Sequence, residues 1–400
     1  MTTDALVSAS PSQKRRKTDA VPLLMVPIAR PHFGEEEALA TAETVRSGWV
    51  GQGPKVAELE RAFAAYVGAP HAVAVSNCTA ALHLAMVVSG IGPGDEVICP
   101  SLSYIATANS VRHAGATPVF ADVDEKTCTI DPVHAASLIT PRTKALLIVH
   151  QFGMPADIDA CKALCEQHGL LLIEDAACAV GSSYKGKNIG AHSDLVCFSF
   201  HPRKVMTTGG EGGMIVTSRS DIADRLRLLR QHGMSVNDRE RHLSRNLMLE
   251  EYLLVGYNYK LSDVHASVGL VQLKKLEWMI AERRRIAALY QRAFSALPAL
   301  QVFVEPPDRT TNVQSYVVRL RPSCALSRND FMVSLLDAGI ATRRVMVAHQ
   351  EPVYAGSNVG LRLPVSESLA DRAVLLPIFA GMTEDEVQRV IEAVERILAA

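Results

Sequence analysis

The chain has 400 residues, 48% of them hydrophobic and 21% charged, with 41 Lys plus Arg against 42 Asp plus Glu and a net charge of −1. That length suits a large domain joined to a smaller one, and the balanced charge gives no sign of a nucleic-acid or membrane-surface partner. The eight cysteines show no paired CxxC spacing, which argues against a zinc site and a secreted disulfide scaffold, and no apolar run is long enough to span a membrane, so a cytoplasmic protein without a metal is expected.

Residues 1–22, with the basic cluster Lys14-Arg15-Arg16-Lys17, are expected to form a disordered tail. The VPLLMVPIA run that follows is short and broken by Pro22 and Pro27, a poor secretory signal. Leu39 and Val45 have helical spacing, Gly48 to Gly53 break it, and a second helix is expected over Val56–Tyr66. Trp49 in that break either closes over a ligand or belongs to an ordinary interhelical turn. A β run, Ala72–Val75, then leads into a helix beginning near Thr79. Backbone N–H groups at a helix start, beside a small hydroxyl residue, make a phosphate site. Ser76, Asn77, Thr79 and Ala80 are therefore candidates for a phosphate cradle, although N-capping by Ser76 or Asn77 would produce the same local sequence.

EVICP, SYIATANSVRHAG, TPVFADV, KALLIVHQFGM and the helix Asp157–His168 continue the alternation of strand and helix. Successive βαβ units predict a mainly parallel sheet with helices on both faces. Tyr104, between a strand and a helix, can stack on a flat cofactor or cap a core. The runs Leu170–Ile173 and Leu195–Phe200 read as strands buried on both faces, each ending abruptly in polar residues, Glu174-Asp175 and His201-Pro202-Arg203-Lys204. Open α/β sheets keep their chemistry at that edge. Desolvation there removes part of a lysine's preference for charge, and a neutral amine can form a Schiff base with a carbonyl. An aspartate in the same pocket can hold a protonated pyridine nitrogen. That pair, with the turn Gly209-Gly210-Glu211-Gly212-Gly213 behind it, is what pyridoxal 5'-phosphate needs from a protein; singly, a lysine after a strand is far more often a solvated surface residue, and Asp175 alone reads also as a helix cap.

Beyond the glycine turn come a strand, MIVTS, a helix over Ile222–Gln231, a polar loop-rich stretch, and a long helix over Asp263–Phe294. The domain boundary is placed near Leu270, giving a large domain over 23–269 and a small α+β domain over 270–400. The small domain has strand candidates at Gln301–Val304 and Ser315–Leu320 and helices near Arg328–Ala338 and Thr383–Leu398.

From Pro27 to Leu398 the chain resembles the DegT/StrS-type sugar aminotransferases, carried by GWVGQGPKVAELERAFAAYVG, SNCTAALHLA, DEVICPSLSYIATANSV, EDAACAVGSSYKGKNIG, FSFHPRKVMTTGGEGGM, GYNYKLSDVHASVGLVQL and LPIFAGMTEDEVQRVI in that order. The resemblance implies a fold-type I pyridoxal-phosphate enzyme, with a mainly parallel seven-stranded sheet and a smaller C-terminal α+β domain. It further implies that Lys204 holds the cofactor and serves as general acid and base, that Asp175 pairs with the pyridine nitrogen, and that Tyr104 stacks on the ring. Thr79, Ala80 and Ser199 fall at its phosphate-binding positions, and Asn258 at that of an asparagine reaching the phosphate across a homodimer interface.

Four departures stand out. Cys178 occupies a cofactor-ring position usually held by glutamine or histidine, Cys78 replaces a common glycine, Lys260 stands where arginine is usual, and the Gly209 to Gly213 turn is one residue longer. Related sugar 3-dehydratases carry histidine in place of Lys204. The implied activity is amino transfer from L-glutamate or L-glutamine to a nucleotide-linked keto sugar by a ping-pong mechanism. Arg30, Lys260, Arg343 and Arg344 are candidates to meet a diphosphate. A keto-cyclitol such as an inosose is the alternative acceptor, and a cofactor-binding regulator is the non-enzymatic alternative.

Overall fold

The computed structural model describes residues 25–236, 241 and 244–399; the tail expected over 1–22 lies outside the described residues. In chain order the first part contains α1 (Glu35–Arg46), α2 (Pro54–Val67), β1 (His71–Val75), α3 (Cys78–Val88), β2 (Glu96–Pro100), α4 (Ala106–His113), β3 (Thr117–Ala121), α5 (Pro132–Ser137) and β4 (Thr143–Val149). It continues with α6 (Ile158–His168), β5 (Leu171–Asp175), the short β6 (Ser183–Tyr184) and β7 (Lys187–Asn188), β8 (Val196–Ser199), β9 (Gly213–Thr217), α7 (Ser220–Leu229) and α8 (Asp263–Phe294).

Seven strands form one sheet in the order β1-β9-β8-β5-β4-β2-β3. All neighbours from β8 to β3 are parallel, and β9 runs antiparallel to β1 and β8 on either side of it, so the sheet is mainly parallel as expected. The continuous apolar character of the strands follows from burial on both faces. In β4, Leu146 and Ile148 enter a core with Leu59 and Phe63 of α2, Cys161 of α6 and Leu276 of α8. The alternate residues Ala145 and Leu147 enter a second core with Leu82 of α3, Val111 of α4 and Leu226 of α7.

The long α8 joins this architecture to the C-terminal part of the chain. Its Leu276 and Ile280 pack in the first core, whereas Ile286, Tyr290 and Phe294 pack in a third core with Val318, Phe331 and Val390. That third core lies against an antiparallel sheet in the order β10 (Leu300–Val302), β12 (Tyr316–Leu320), β14 (Ala373–Leu376) and β13 (Arg343–Arg344). Between them in sequence, β11 (Arg309–Thr310) pairs with β6 of the large-sheet region. Val26 also lies in the third core, through a bridge to Ile340.

Two charged residues of α8 hold distant segments. Asp263, buried at its start, accepts from the N–H groups of Gly53 at 2.8 Å, Lys55 at 3.0 Å and Val56 at 2.9 Å. It thereby caps α2, whose own cap residue Gly53 has no side chain, and the backbone N–H of Asp263 donates to Gly51 O at 2.6 Å. The break around Trp49 is thus tied at its end to α8. Arg283 is buried, and desolvation pushes its pKa down to about 10. Its Nη1 donates to the carbonyl oxygens of Val313 at 3.2 Å, Gln314 at 3.3 Å and Ile378 at 3.1 Å. Arg283→Met leaves three carbonyls without that donor and is expected to cost about 3 kcal/mol, read as a lower urea midpoint; an unchanged midpoint would show that these bonds contribute nothing net.

Candidate active site

The carboxyl ends of β5 and β8 face the start of α3 across a cavity of about 730 Å³, and Thr79, Ala80, Tyr104, Asp175, Cys178, Ser199 and Lys204 all line it. Seven of the eight residues that the resemblance places at the cofactor are therefore brought together, and Asn258 is not among the lining residues.

Asp175 is the last residue of β5 and is 5% exposed. Its Oδ2 accepts from Thr107 Oγ1 at 2.8 Å and its Oδ1 from Ala177 N at 3.0 Å. Burial raises its pKa, and the bonds from Ala177 and Thr107 together with the Lys204 charge do not fully offset that. A buried carboxylate in this condition is short of a positive partner. Behind it, His150 Nδ1 accepts from Ala156 N at 3.0 Å, so Nε2 carries the proton and donates to Glu174 Oε2 at 2.8 Å. Burial opposes ionisation of Glu174, but the His150 bond outweighs it and holds the carboxyl below its ordinary value. The backbone N–H of His150 donates to Asp175 O at 3.0 Å, fixing the strand end.

Lys204 sits on the turn after β8, with its N–H donating to His201 O at 2.8 Å. Gln314 grips the turn on both sides, its Oε1 accepting from Val205 N at 2.9 Å and its Nε2 donating to Arg203 O at 2.8 Å. Lys204 Nζ donates to Cys178 Sγ at 3.2 Å. Burial pushes the ammonium pKa down, but Cys178, Asp175 and Cys78 outweigh it and the net shift is upward. The expectation that desolvation leaves this amine partly neutral is thus corrected: in the ligand-free chain the surrounding acidic groups win.

At the other side, Asn77 Oδ1 accepts from Ala80 N at 2.8 Å and caps α3. Capping and phosphate binding are not exclusive here, because the Cys78 and Thr79 N–H groups precede the first intrahelical bond, Ala81 N to Asn77 O at 3.1 Å. β9 can start this close only with glycine: a Cβ on Gly213 would lie 2.5 Å from the Asn77 carbonyl carbon. Ser76 does not line the cavity; its N–H donates to Tyr259 O at 2.7 Å. Tyr104 is 68% exposed, leaving its ring free beside the cavity. The Cys78 thiol is pushed well up by burial, and its side chain leaves the backbone of the loop intact.

Pyridoxal phosphate fits these groups: a buried carboxylate short of a cation, an amine, the hydroxyls of Thr79 and Ser199, and a helix start able to take phosphate. Of the four candidate cations, Arg343 lines the cavity. Arg30 bonds Glu386 and lies 4.7 Å over the Phe379 ring, Arg344 bonds Glu351 at 2.7 Å, and Lys260 Nζ donates to Asn258 Oδ1 at 2.8 Å. Sequence reading missed Thr107 and Gln314. A threonine within the apolar face of SYIATANSV is a faint signal for the first; Gln314 lies 109 positions from Val205 and had none.

The sequence model of the DegT/DnrJ/EryC1/StrS aminotransferase family matches residues 31–395. Among solved structures, DesV of S. venezuelae is similar at 37% identity and a TM-score of 0.84, covering 92% of this chain and 95% of its own. PseC of Helicobacter pylori, an aminotransferase of pseudoaminic acid biosynthesis, is similar at 26% identity and a TM-score of 0.87, covering 94% of this chain and 99% of its own. Spr1654 of Streptococcus pneumoniae in its PLP form is similar at 27% identity and a TM-score of 0.86, with 94% and 99% covered.

Proposed function

The chain belongs to the DegT/DnrJ/EryC1/StrS aminotransferase family, and from that premise we propose that this pyridoxal-phosphate-dependent sugar aminotransferase takes its amino group from L-glutamate or L-glutamine and delivers it to a nucleotide-linked keto-deoxysugar. The observation that carries the reading is the meeting of Lys204, Asp175 and Arg343 on one cavity. An amine for the carbonyl chemistry, a buried anion for the ring nitrogen and a guanidinium suited to a diphosphate share it.

When bound, the cofactor supplies an electron-withdrawing ring and carries the amino group between two substrates. Lys204 Nζ would hold the cofactor and, once freed, would serve as general base and acid, taking the proton from the substrate carbon and delivering it to the cofactor side in one half-reaction, and the reverse in the other. Asp175, its carboxylate oriented by Thr107 Oγ1 and Ala177 N, would hold the protonated ring nitrogen of the cofactor. Donor and acceptor use the same cavity in turn, which makes the kinetics ping-pong. The test is the visible absorbance of the holoenzyme: one of the two donors bleaches the band, and only nucleotide-linked keto sugars restore it. Restoration by inososes instead would move the acceptor to the keto-cyclitols, and no bleaching by either donor would remove both from the proposal.

The same reading makes the enzyme a homodimer with shared sites. Asn258 is exposed and lies outside this chain's cavity, and the segment leading to it exposes Leu247 at 87%, Leu249 at 76% and Val255 at 90%, an apolar run suited to burial against a second copy. Mixing Lys204→Ala chains with Asn258→Ala chains, by unfolding and refolding together, is then expected to restore up to about a quarter of wild-type activity, because each heterodimer contains one intact site. Activity no greater than the sum of the parents would place Asn258 outside the site.

A further inference from the structure

Among the described residues five non-glycine positions have left-handed backbone, and three of them, Cys128 (φ 59°), Phe152 (φ 60°) and Val313 (φ 50°), line a single second cavity of about 430 Å³. That conformation is unfavourable for side chains with a Cβ and most so for a β-branched residue such as valine. Two of the three, Phe152 and Val313, belong to adjoining segments of the cavity wall, which the surrounding contacts hold in a strained form, as at ligand clamps and switch regions.

The wall is also the partition between this cavity and the catalytic one. Gln151 and Gln314 face the catalytic cavity, their neighbours Phe152 and Val313 face the second, and Ser315 lines both. On the catalytic side Gln314 holds the backbone on either side of Lys204, and Asn312 Nδ2 donates to Cys178 O at 2.9 Å and Val180 O at 2.8 Å. On the other side Thr311 Oγ1 accepts from Val313 N at 3.0 Å, and Ser315 N donates to Phe152 O at 3.3 Å. Any displacement of Phe152 or Val313 therefore reaches the groups that position Lys204 and Cys178.

The lining specifies a ligand class. Phe152, Phe303 and Tyr316 offer aromatic walls, and the volume lies in the range of small-molecule sites. Arg284 is already matched by Glu305 at 2.6 and 3.1 Å, whereas Lys126, exposed on the same cavity, has an ammonium able to meet an anionic group. We propose that this second cavity is an effector site for a small aromatic anion, whose occupancy is transmitted to Lys204 through the 151–154 and 311–315 partition. The cavity itself is lined by none of the catalytic groups, while the response at Lys204 rests on the aminotransfer reading.

The test uses 8-anilinonaphthalene-1-sulfonate, an aromatic anion, with the full-length holoenzyme. Ala288→Trp fills the cavity from an exposed position on α8, so folding is preserved; a thermal melt checks this, and Ala287→Phe serves as a second filling variant. Fluorescence titration is expected to show binding weakened about tenfold or more by either filling variant and about threefold by Lys126→Ala. The visible circular dichroism of the cofactor should change on titration in wild type and not in the filled variants. Equal affinity in wild type and both filled variants, or binding that leaves the cofactor dichroism unchanged, would overturn the proposal. An enzyme that shows no cofactor dichroism even before titration breaks the aminotransferase reading instead, and the affinity comparison still decides whether the cavity binds.

Discussion

Lys204→Ala is expected to lower kcat by about 10⁴-fold or more, the upper end of what a positioned general acid and base contributes, and to abolish the visible band given by wild type with pyridoxal phosphate. The variant loses both roles of the amine at once, attachment and proton transfer, so the losses do not add as independent terms. Among the described residues no other lysine lines the cavity. The fold should survive, because Lys204 Nζ makes its bond to Cys178 at the cavity edge and the turn is held by Gln314 through backbone groups. A variant with an unchanged melting temperature, no band and no turnover is the expected result. Retained turnover would mean that another group carries the proton, and the assignment of Lys204 would fail.

Asp175→Asn separates activity from stability. Loss of the negative charge is expected to reduce kcat by about 10²- to 10³-fold, comparable to removing one preorganised electrostatic contact in an active site. The ligand-free protein should behave in the opposite way. Asp175 has a raised native pKa because of its burial, so the native state binds this proton more tightly than the unfolded state does. By linkage, its contribution to stability is greatest at low pH and falls as pH rises from the ordinary value of 3.8 through the raised native value. At neutral pH the ionised side chain is a stability cost, and Asp175→Asn in the cofactor-free form should melt at the same temperature as wild type or higher. The cofactor-induced rise in melting temperature should shrink in the variant, since the anion meeting the ring nitrogen is gone. A cofactor-free variant that melts well below wild type would show that Asp175 is a structural acceptor for Thr107 and Ala177 rather than a charge held ready for the ring. The pattern is the familiar opposition of stability and activity at a functional site.

Legibility in the sequence followed the range of the interactions involved. The strands β5 and β8 were visible as short apolar runs ending in charge, since burial on both faces demands continuous apolar residues. The bounds of α8, Asp263–Phe294, matched the expected ones because Ser262 caps it locally, accepting from His265 N at 3.2 Å. The hairpin of β6 and β7 was not expected: two residues per strand carry no periodicity, and its pairing to β11 lies more than a hundred residues away in sequence. Likewise, a glycine cap on α2 gave no sign that Asp263 supplies the missing acceptor.

What the sequence by itself determined was the α/β class, the mainly parallel sheet, the family, the cofactor, and the Lys204 and Asp175 pair at the carboxyl edge, since each rests on local periodicity or on residue types in consecutive motifs. Only the tertiary structure decided which cation reaches the cavity, that Thr107 and Gln314 hold the two central side chains, that Lys204 is shifted upward rather than downward, and that a strained partition divides two cavities. Those properties depend on the distances between groups that the chain brings together from remote positions, and on the balance of desolvation against the charges that meet there.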